Sequence, residues 1–148
     1  MSDSDFGRRL AGVCLAAALS LAAGCGGRQS SNVLDPANEL PFGTVDVPAA
    51  DAQVKAQTPI AGWALDDRGV KEVRVYVDGH LASHGPLTEQ RPDVSKAFPQ
   101  YARAGDRHGW VLTMAFAAPG PHSVIVQAVD TDGATRDIGT FKLTTLER

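Results

Sequence analysis

The chain has 148 residues, of which 43% are hydrophobic, 21% charged and 6% aromatic, with a formal charge of −3. That balance fits one domain of ordinary size, excludes wholesale disorder and leaves no electrostatic footprint for nucleic acid. The 15 glycines and 9 prolines favour turns over long helices, and two cysteines cannot build a disulfide scaffold.

Residues 1–24 read as an export signal. Arg8 and Arg9 form a short basic region, and Leu10–Ala23 is an uncharged run of 14 residues rich in Leu and Ala. A membrane-spanning helix needs about 20 residues, so this run suits the apolar core of a cleaved signal. Small residues then precede a cysteine in Leu21-Ala22-Ala23-Gly24-Cys25. The stretch resembles the lipobox of bacterial lipoproteins, with Ala22 where leucine is commoner. The resemblance implies cleavage before Cys25, lipid on Cys25 and a membrane partner reached through that lipid. Gly26, where some sorting signals carry aspartate, leans the expectation towards the outer membrane of the cell envelope. Cys14 would leave with the signal, so Cys25 would be the sole cysteine of the exported chain. An unpaired exported thiol is otherwise a reactive liability.

Residues 25–42 read as the lipidated cysteine and a Gly/Ser/Asn/Pro-rich tether with no hydrophobic period. A flexible stretch of that length spans ~20–25 Å. Residues 43–148 read as the domain, in which the dominant period is two. Strands are expected at Gly43–Val47, at Thr58–Leu65 and around Val73, Val75 and Val77. Three more are expected around Trp110, Leu112, Met114 and Phe116, around Val124, Val126 and Ala128, and around Phe141 and Leu143. The buried face of Thr58–Leu65 stays open, because Ile60, Trp63 and Leu65 do not share a parity. Asp78-Gly79 and Asp132-Gly133 signal hairpin turns, and Pro119-Gly120-Pro121 forces a break. No apolar stripe at helical spacing is evident after residue 43. The expected fold is all-β, an antiparallel sandwich of about seven strands.

The stretches GWALDDRGVKEVRVYVDG (62–79), RPDVSKAFP (91–99), GW (109–110) and PHSVIVQAVDTDGATRDIG (121–139) resemble the immunoglobulin-like domains of bacterial surface and secreted proteins. The resemblance runs from Gly43 to about Leu146 and implies an Ig-like sandwich. It lacks the antibody-type pair of cysteines, so the core would rest on packing alone.

Gly85 to His108 is a connection of 24 residues without a period, and such stretches are often functional or pinned. The plainer account pairs Arg91 with Asp93 or with backbone and uses Phe98 and Tyr101 to plug the loop onto the sandwich. The functional account is a binding loop presenting Arg91, Asp93, Phe98, Tyr101 and Arg103. Asp66, Asp67, Asp130 and Asp132 follow two strands whose loops share one end of such a sandwich. They are either turn-capping residues or a calcium site, since Ca²⁺ takes hard oxygens. No other cofactor is expected. His80 and His84 would sit ~13 Å apart along a strand, too far to share a metal, and His108 and His122 read as structural.

No hydrolase, metalloprotease or phosphate-binding signature is present, and Ser83-His84 neighbours point to opposite faces of a strand. The expectation is a non-catalytic, lipid-anchored envelope module that binds or scaffolds another envelope protein. The alternative is a carbohydrate- or calcium-binding module that stacks envelope polysaccharide on Trp63, Tyr76, Trp110 or Tyr101.

Overall fold

The computed structural model describes residues 37–147. The expected signal segment, Cys25 and the tether up to residue 36 lie outside the described residues, as does the side chain of Arg103.

Nine strands form two sheets. They are β1 (Phe42–Val47), β2 (Gln53–Val54), β3 (Gln57–Leu65), β4 (Val70–Val77), β5 (His80–Gly85), β6 (Glu89–Gln90), β7 (Arg107–Ala115), β8 (Gly120–Asp130) and β9 (Thr135–Thr145). A helix α1 (Pro92–Ala97) and a 3₁₀ helix (Pro99–Ala104) lie between β6 and β7. One sheet has the order β1-β3-β7-β6 and the other β2-β9-β8-β4-β5. Every pairing is antiparallel except the two-residue pairing of β2 with β9. The expected Ig-like sandwich is therefore present, with nine strands where about seven were expected. Six of them match the strands placed from sequence; the others are β5 and the two-residue strands β2 and β6, which are too short to show a period.

Alternation places the core between the sheets. Val73, Val75, Val124, Val126 and Ala128 face it from one sheet, and Ile60, Ala64, Trp110 and Met114 from the other; all are fully buried. Leu143 and Phe116 close it, with Leu112 and Phe141 partly buried against it. The parity of β3 is resolved: Ile60, Gly62 and Ala64 face inward, and Trp63 faces outward and is half-buried. Gly62 is required there. A Cβ would collide with the Thr44 carbonyl oxygen and stand 2.7 Å from Trp110 Cζ2.

Asp78-Gly79 makes the expected tight β4–β5 hairpin, with φ of 50° and 81°, the positive pair a two-residue turn needs. Gly133, at φ 91°, completes the β8–β9 turn.

The 85–108 connection is not structureless. It holds β6 and two short helices; Val94 in α1 is buried, and Phe98 between the helices and Tyr101 in the second are half-buried. Pro92 stands at the first helical position, where the missing N–H costs nothing. Gly105, at φ 100°, ends the 3₁₀ helix.

Residues just before Gly43 also pack on the sandwich. Pro41 is fully buried, Phe42 opens β1, and Asn38 Nδ2 donates to Asp130 Oδ2 at 2.6 Å.

Candidate functional site

The crossover from β5 to β7 lies on the outer face of the β1-β3-β7-β6 sheet. Backbone bonds tie its two ends together: Thr88 N donates to Gly109 O at 2.8 Å and Arg91 N to Asp106 O at 2.7 Å. Gly109 permits this approach, since a Cβ there would stand 2.8 Å from Glu89 Cβ and 2.9 Å from Arg91 Cγ.

Aromatic rings hold the middle of the crossover down. Phe42 packs edge-on against Trp63, Phe98 and Tyr101 at centroid distances of 6.1, 5.5 and 5.1 Å, and Trp63 lies 5.5 Å from Phe98. Such edge contacts suit the aromatic quadrupole. All four rings are half-buried, and Tyr101 donates its hydroxyl to Glu39 Oε2 at 2.9 Å.

Arg91 grips Asp93 with two bonds, Nε to Oδ1 at 2.9 Å and Nη2 to Oδ2 at 2.8 Å, and donates from Nη1 to Asp46 Oδ2 at 2.6 Å. The guanidinium holds the Asp93 carboxyl down to about 2. The side chains read from sequence as a binding loop thus have internal partners: Arg91 and Asp93 pair with each other, and Phe98 and Tyr101 plug the segment onto β1 and β3. What they leave outward is the free part of the aromatic cluster.

The four aspartates act in turns. Asp66 Oδ1 accepts from Arg68 N at 2.8 Å and Gly69 N at 2.9 Å. Asp130 Oδ1 accepts from Asp132 N at 2.9 Å and Ala134 N at 2.8 Å. Asp132 pairs with Arg68 at 2.7 Å, and Asp67 lies 3.8 Å from the same guanidinium. Among the described residues no three His, Cys, Asp or Glu side chains gather as a metal site. The calcium set read from sequence is not gathered among the described residues: the oxygens named above receive N–H groups or face Arg68.

Asp66 Oδ2, by contrast, is buried without a hydrogen-bond partner, as is His108 Nε2. Burial pushes the Asp66 carboxyl above its ordinary range, the Arg68 and Gly69 N–H groups oppose that, and Asp67 and Asp130 add to it. Both residues line a cleft of about 610 Å³ between the end of β3, the β3–β4 turn and the returning crossover, with Leu65, Val70, Leu87 and Tyr101 among its walls. Sequence reasoning dismissed His108 and gave Asp66 only turn or metal work. Their convergence depends on the path of the crossover, which no local pattern encodes.

Asn38 Oδ1, Ser95 Oγ and Trp110 Nε1 are also buried without a partner. Trp110, offered from sequence as a stacking ring, is fully buried in the core. His122 Nδ1 meets Asp78 Oδ2 at 2.6 Å, and its Nε2 meets Ala118 O at 2.9 Å and Thr145 Oγ1 at 3.2 Å. The Thr145 hydroxyl is buried and donates to Ala118 O at 2.9 Å, so this His-Asp-Thr grouping is a knot and not a nucleophile.

A family model described as a bacterial Ig domain matches residues 41–98, from the start of β1 to the end of α1. No curated protein matches the chain in sequence. Among solved structures the chain is similar to the fibronectin(III)-like modules of CbhA from Clostridium thermocellum. That match has 17% identity over 74% of this chain and 47% of that one, at TM-score 0.44. It is also similar to an endo-β-1,4-mannanase from Thermotoga petrophila, at 11% identity over 74% of this chain and 20% of that one, TM-score 0.50. The chain thus spans about half of the first structure and a fifth of the second. At 11% identity the likeness to the mannanase is one of fold alone. The domain is Ig-like.

Proposed function

We propose that the chain is a lipid-anchored module of the bacterial cell envelope that works by contact, docking another envelope protein, and not by catalysis. The observation that carries this reading is the half-exposed cluster of Phe42, Trp63, Phe98 and Tyr101. Aromatic rings and arginine are the side chains that most often anchor protein–protein contacts. The cluster is pre-organised by its own packing, so docking would cost little ordering. The lipid would sit on Cys25, and the tether would hold the domain within a few tens of ångströms of the membrane.

The anchor is tested by detergent phase partition of the wild type and Cys25→Ala. Wild type in the detergent phase and the variant in the aqueous phase support it; both in the aqueous phase overturn it. The contact is tested by crosslinking in cells. A Trp63→Leu/Phe98→Leu variant keeps apolar bulk but loses the rings. One envelope protein enriched with wild type and lost with the variant, at equal abundance and secondary structure, supports docking. No enriched neighbour, or one unaffected by the variant, overturns it.

A further inference from the structure

The cleft at the end of β3 holds two buried polar atoms that the fold leaves unused. Asp66 is 7% exposed and His108 6% exposed, and Asp66 Oδ2 and His108 Nε2 have no hydrogen-bond partner. Leaving such atoms unpaired costs about 1–3 kcal/mol each, a cost that a ligand able to reach them would relieve. Both residues line one cleft of about 610 Å³, within the size range of small-molecule sites. Apolar walls from Leu65, Val70 and Leu87 flank them.

The chemistry of the two atoms selects a ligand. A carboxylate oxygen accepts hydrogen bonds and cannot donate them. A neutral imidazole accepts at Nε2 when its proton sits on Nδ1. Asp66 and His108 line the same cleft; two acceptors there call for a donor, and an ammonium group has three donors and no acceptor. Charge favours a cation over a hydroxyl. Asp67 and Asp130 act on Asp66 as like charges, while Asp106 and Arg107 lie exposed along the same cleft and offset one another. A positive charge beside Asp66 relieves that crowding, and a neutral hydroxyl does not.

We propose that this cleft binds a small organic cation, an alkylammonium group bonded to Asp66 Oδ2 and His108 Nε2 with its aliphatic stem along Leu65, Val70 and Leu87. The site does not depend on the lipid or on the envelope contact, so it stands or falls separately from them.

The test titrates the isotope-labelled full chain with n-butylammonium chloride and, separately, with n-butanol, which has the same stem and no charge. Methyl resonances of Leu65, Val70 and Leu87 and the ring nitrogens of His108 are followed by NMR. The expected result is saturable movement of all of them with the ammonium in the millimolar range. Butanol should bind at least tenfold more weakly. Asp66→Asn keeps an oxygen for the Arg68 and Gly69 N–H groups, and should also bind the ammonium at least tenfold more weakly. No saturable shift would overturn the proposal, since a trapped water would then account for both atoms. Equal binding of butanol, or full affinity in Asp66→Asn with an otherwise unchanged spectrum, would overturn it too. The wild-type His108 signal carries the test if Asp66→Asn does not fold.

Discussion

Asp130 shows how far a single side chain can be committed. It is fully buried and accepts three hydrogen bonds, from the backbone of Asp132 and Ala134 and from the Asn38 amide. Asp130→Ala therefore strands three donors, and each buried unpaired donor costs about 1–3 kcal/mol. A loss of at least about 2 kcal/mol is expected in urea unfolding; a loss below about 0.5 kcal/mol would mean the turn keeps its shape without the carboxylate. Millimolar calcium should leave the wild-type melting temperature unchanged, because among the described residues no three His, Cys, Asp or Glu side chains gather as a metal site; a saturable rise would restore the calcium reading. His122 makes a second residue-scale case. Its Nδ1 faces a carboxylate and its Nε2 a backbone carbonyl, so both ring nitrogens must carry protons to satisfy both acceptors. The hydrogen bond to Asp78 accordingly raises the His122 pKa and lowers that of Asp78. A raised folded value means stability that is complete below the unfolded value of about 6.5 and is lost as pH climbs through the folded one. The depressed Asp78 value adds stability present above about 3.9 and lost as pH falls through its folded value. Melting temperature should therefore decline above about pH 6.5 in the wild type, and His122→Gln should flatten that decline. Parallel curves for the two proteins would remove His122 as its cause.

The elements differ in how plainly their sequences declare them. β4 and β8 alternate because one face is buried and the other only half-buried, and Val73, Val75 and Val77 in β4 and Val124, Val126 and Ala128 in β8 mark the buried face. β3 does not alternate, because both of its faces are covered: Ile60, Gly62 and Ala64 meet the core while Trp63 meets Phe42 and Phe98. A strand covered on both faces loses the period that would identify its inner side. α1 is six residues long, too short for a 3.6 period to stand out. Pro92, a residue suited to the first helical position, is the available signal. The motif residues at 62–63, 91–94 and 109–110 now have structural explanations. Gly62 and Gly109 make room for neighbouring chain, Trp63 and Trp110 pack on opposite faces, and Arg91-Pro92-Asp93-Val94 bridges, opens and seats the helix. Gly62→Ala tests the tightest of these. Its Cβ would meet backbone that cannot rotate away, and overpacking of a rigid site costs typically 1–3 kcal/mol or more. We expect a loss larger than that of Ile60→Val, which removes one core methylene at about 0.5–1.5 kcal/mol. Chemical denaturation of the two variants decides it, and the reverse order would show that β1 can shift to admit the methyl.

Across the whole molecule, the sandwich supplies rigidity and the crossover supplies the surface. The sandwich was readable because burial repeats along each strand. The candidate cleft was not, because Asp66 and His108 lie 42 positions apart and meet only where the crossover returns to β7. The aromatic cluster and the cleft share that segment: Phe98 and Tyr101 seat it on β1 and β3, and Tyr101 and residues 105–108 then wall the cleft. Loosening one should loosen the other without unfolding the core. Truncating a fully buried phenylalanine costs about 3–5 kcal/mol, and Phe98 is only half-buried. Its loss should fall short of the 5–15 kcal/mol that holds a typical domain together. Phe98→Ala is therefore expected to speed amide exchange in residues 91–108 at least tenfold while β4, β8 and β9 keep their protection. Exchange rising equally in all strands would mean the crossover is part of the global folding unit. Exchange unchanged at 91–108 would mean that the Arg91 bridges to Asp46 and Asp93, and not the rings, hold the segment that shapes the cleft.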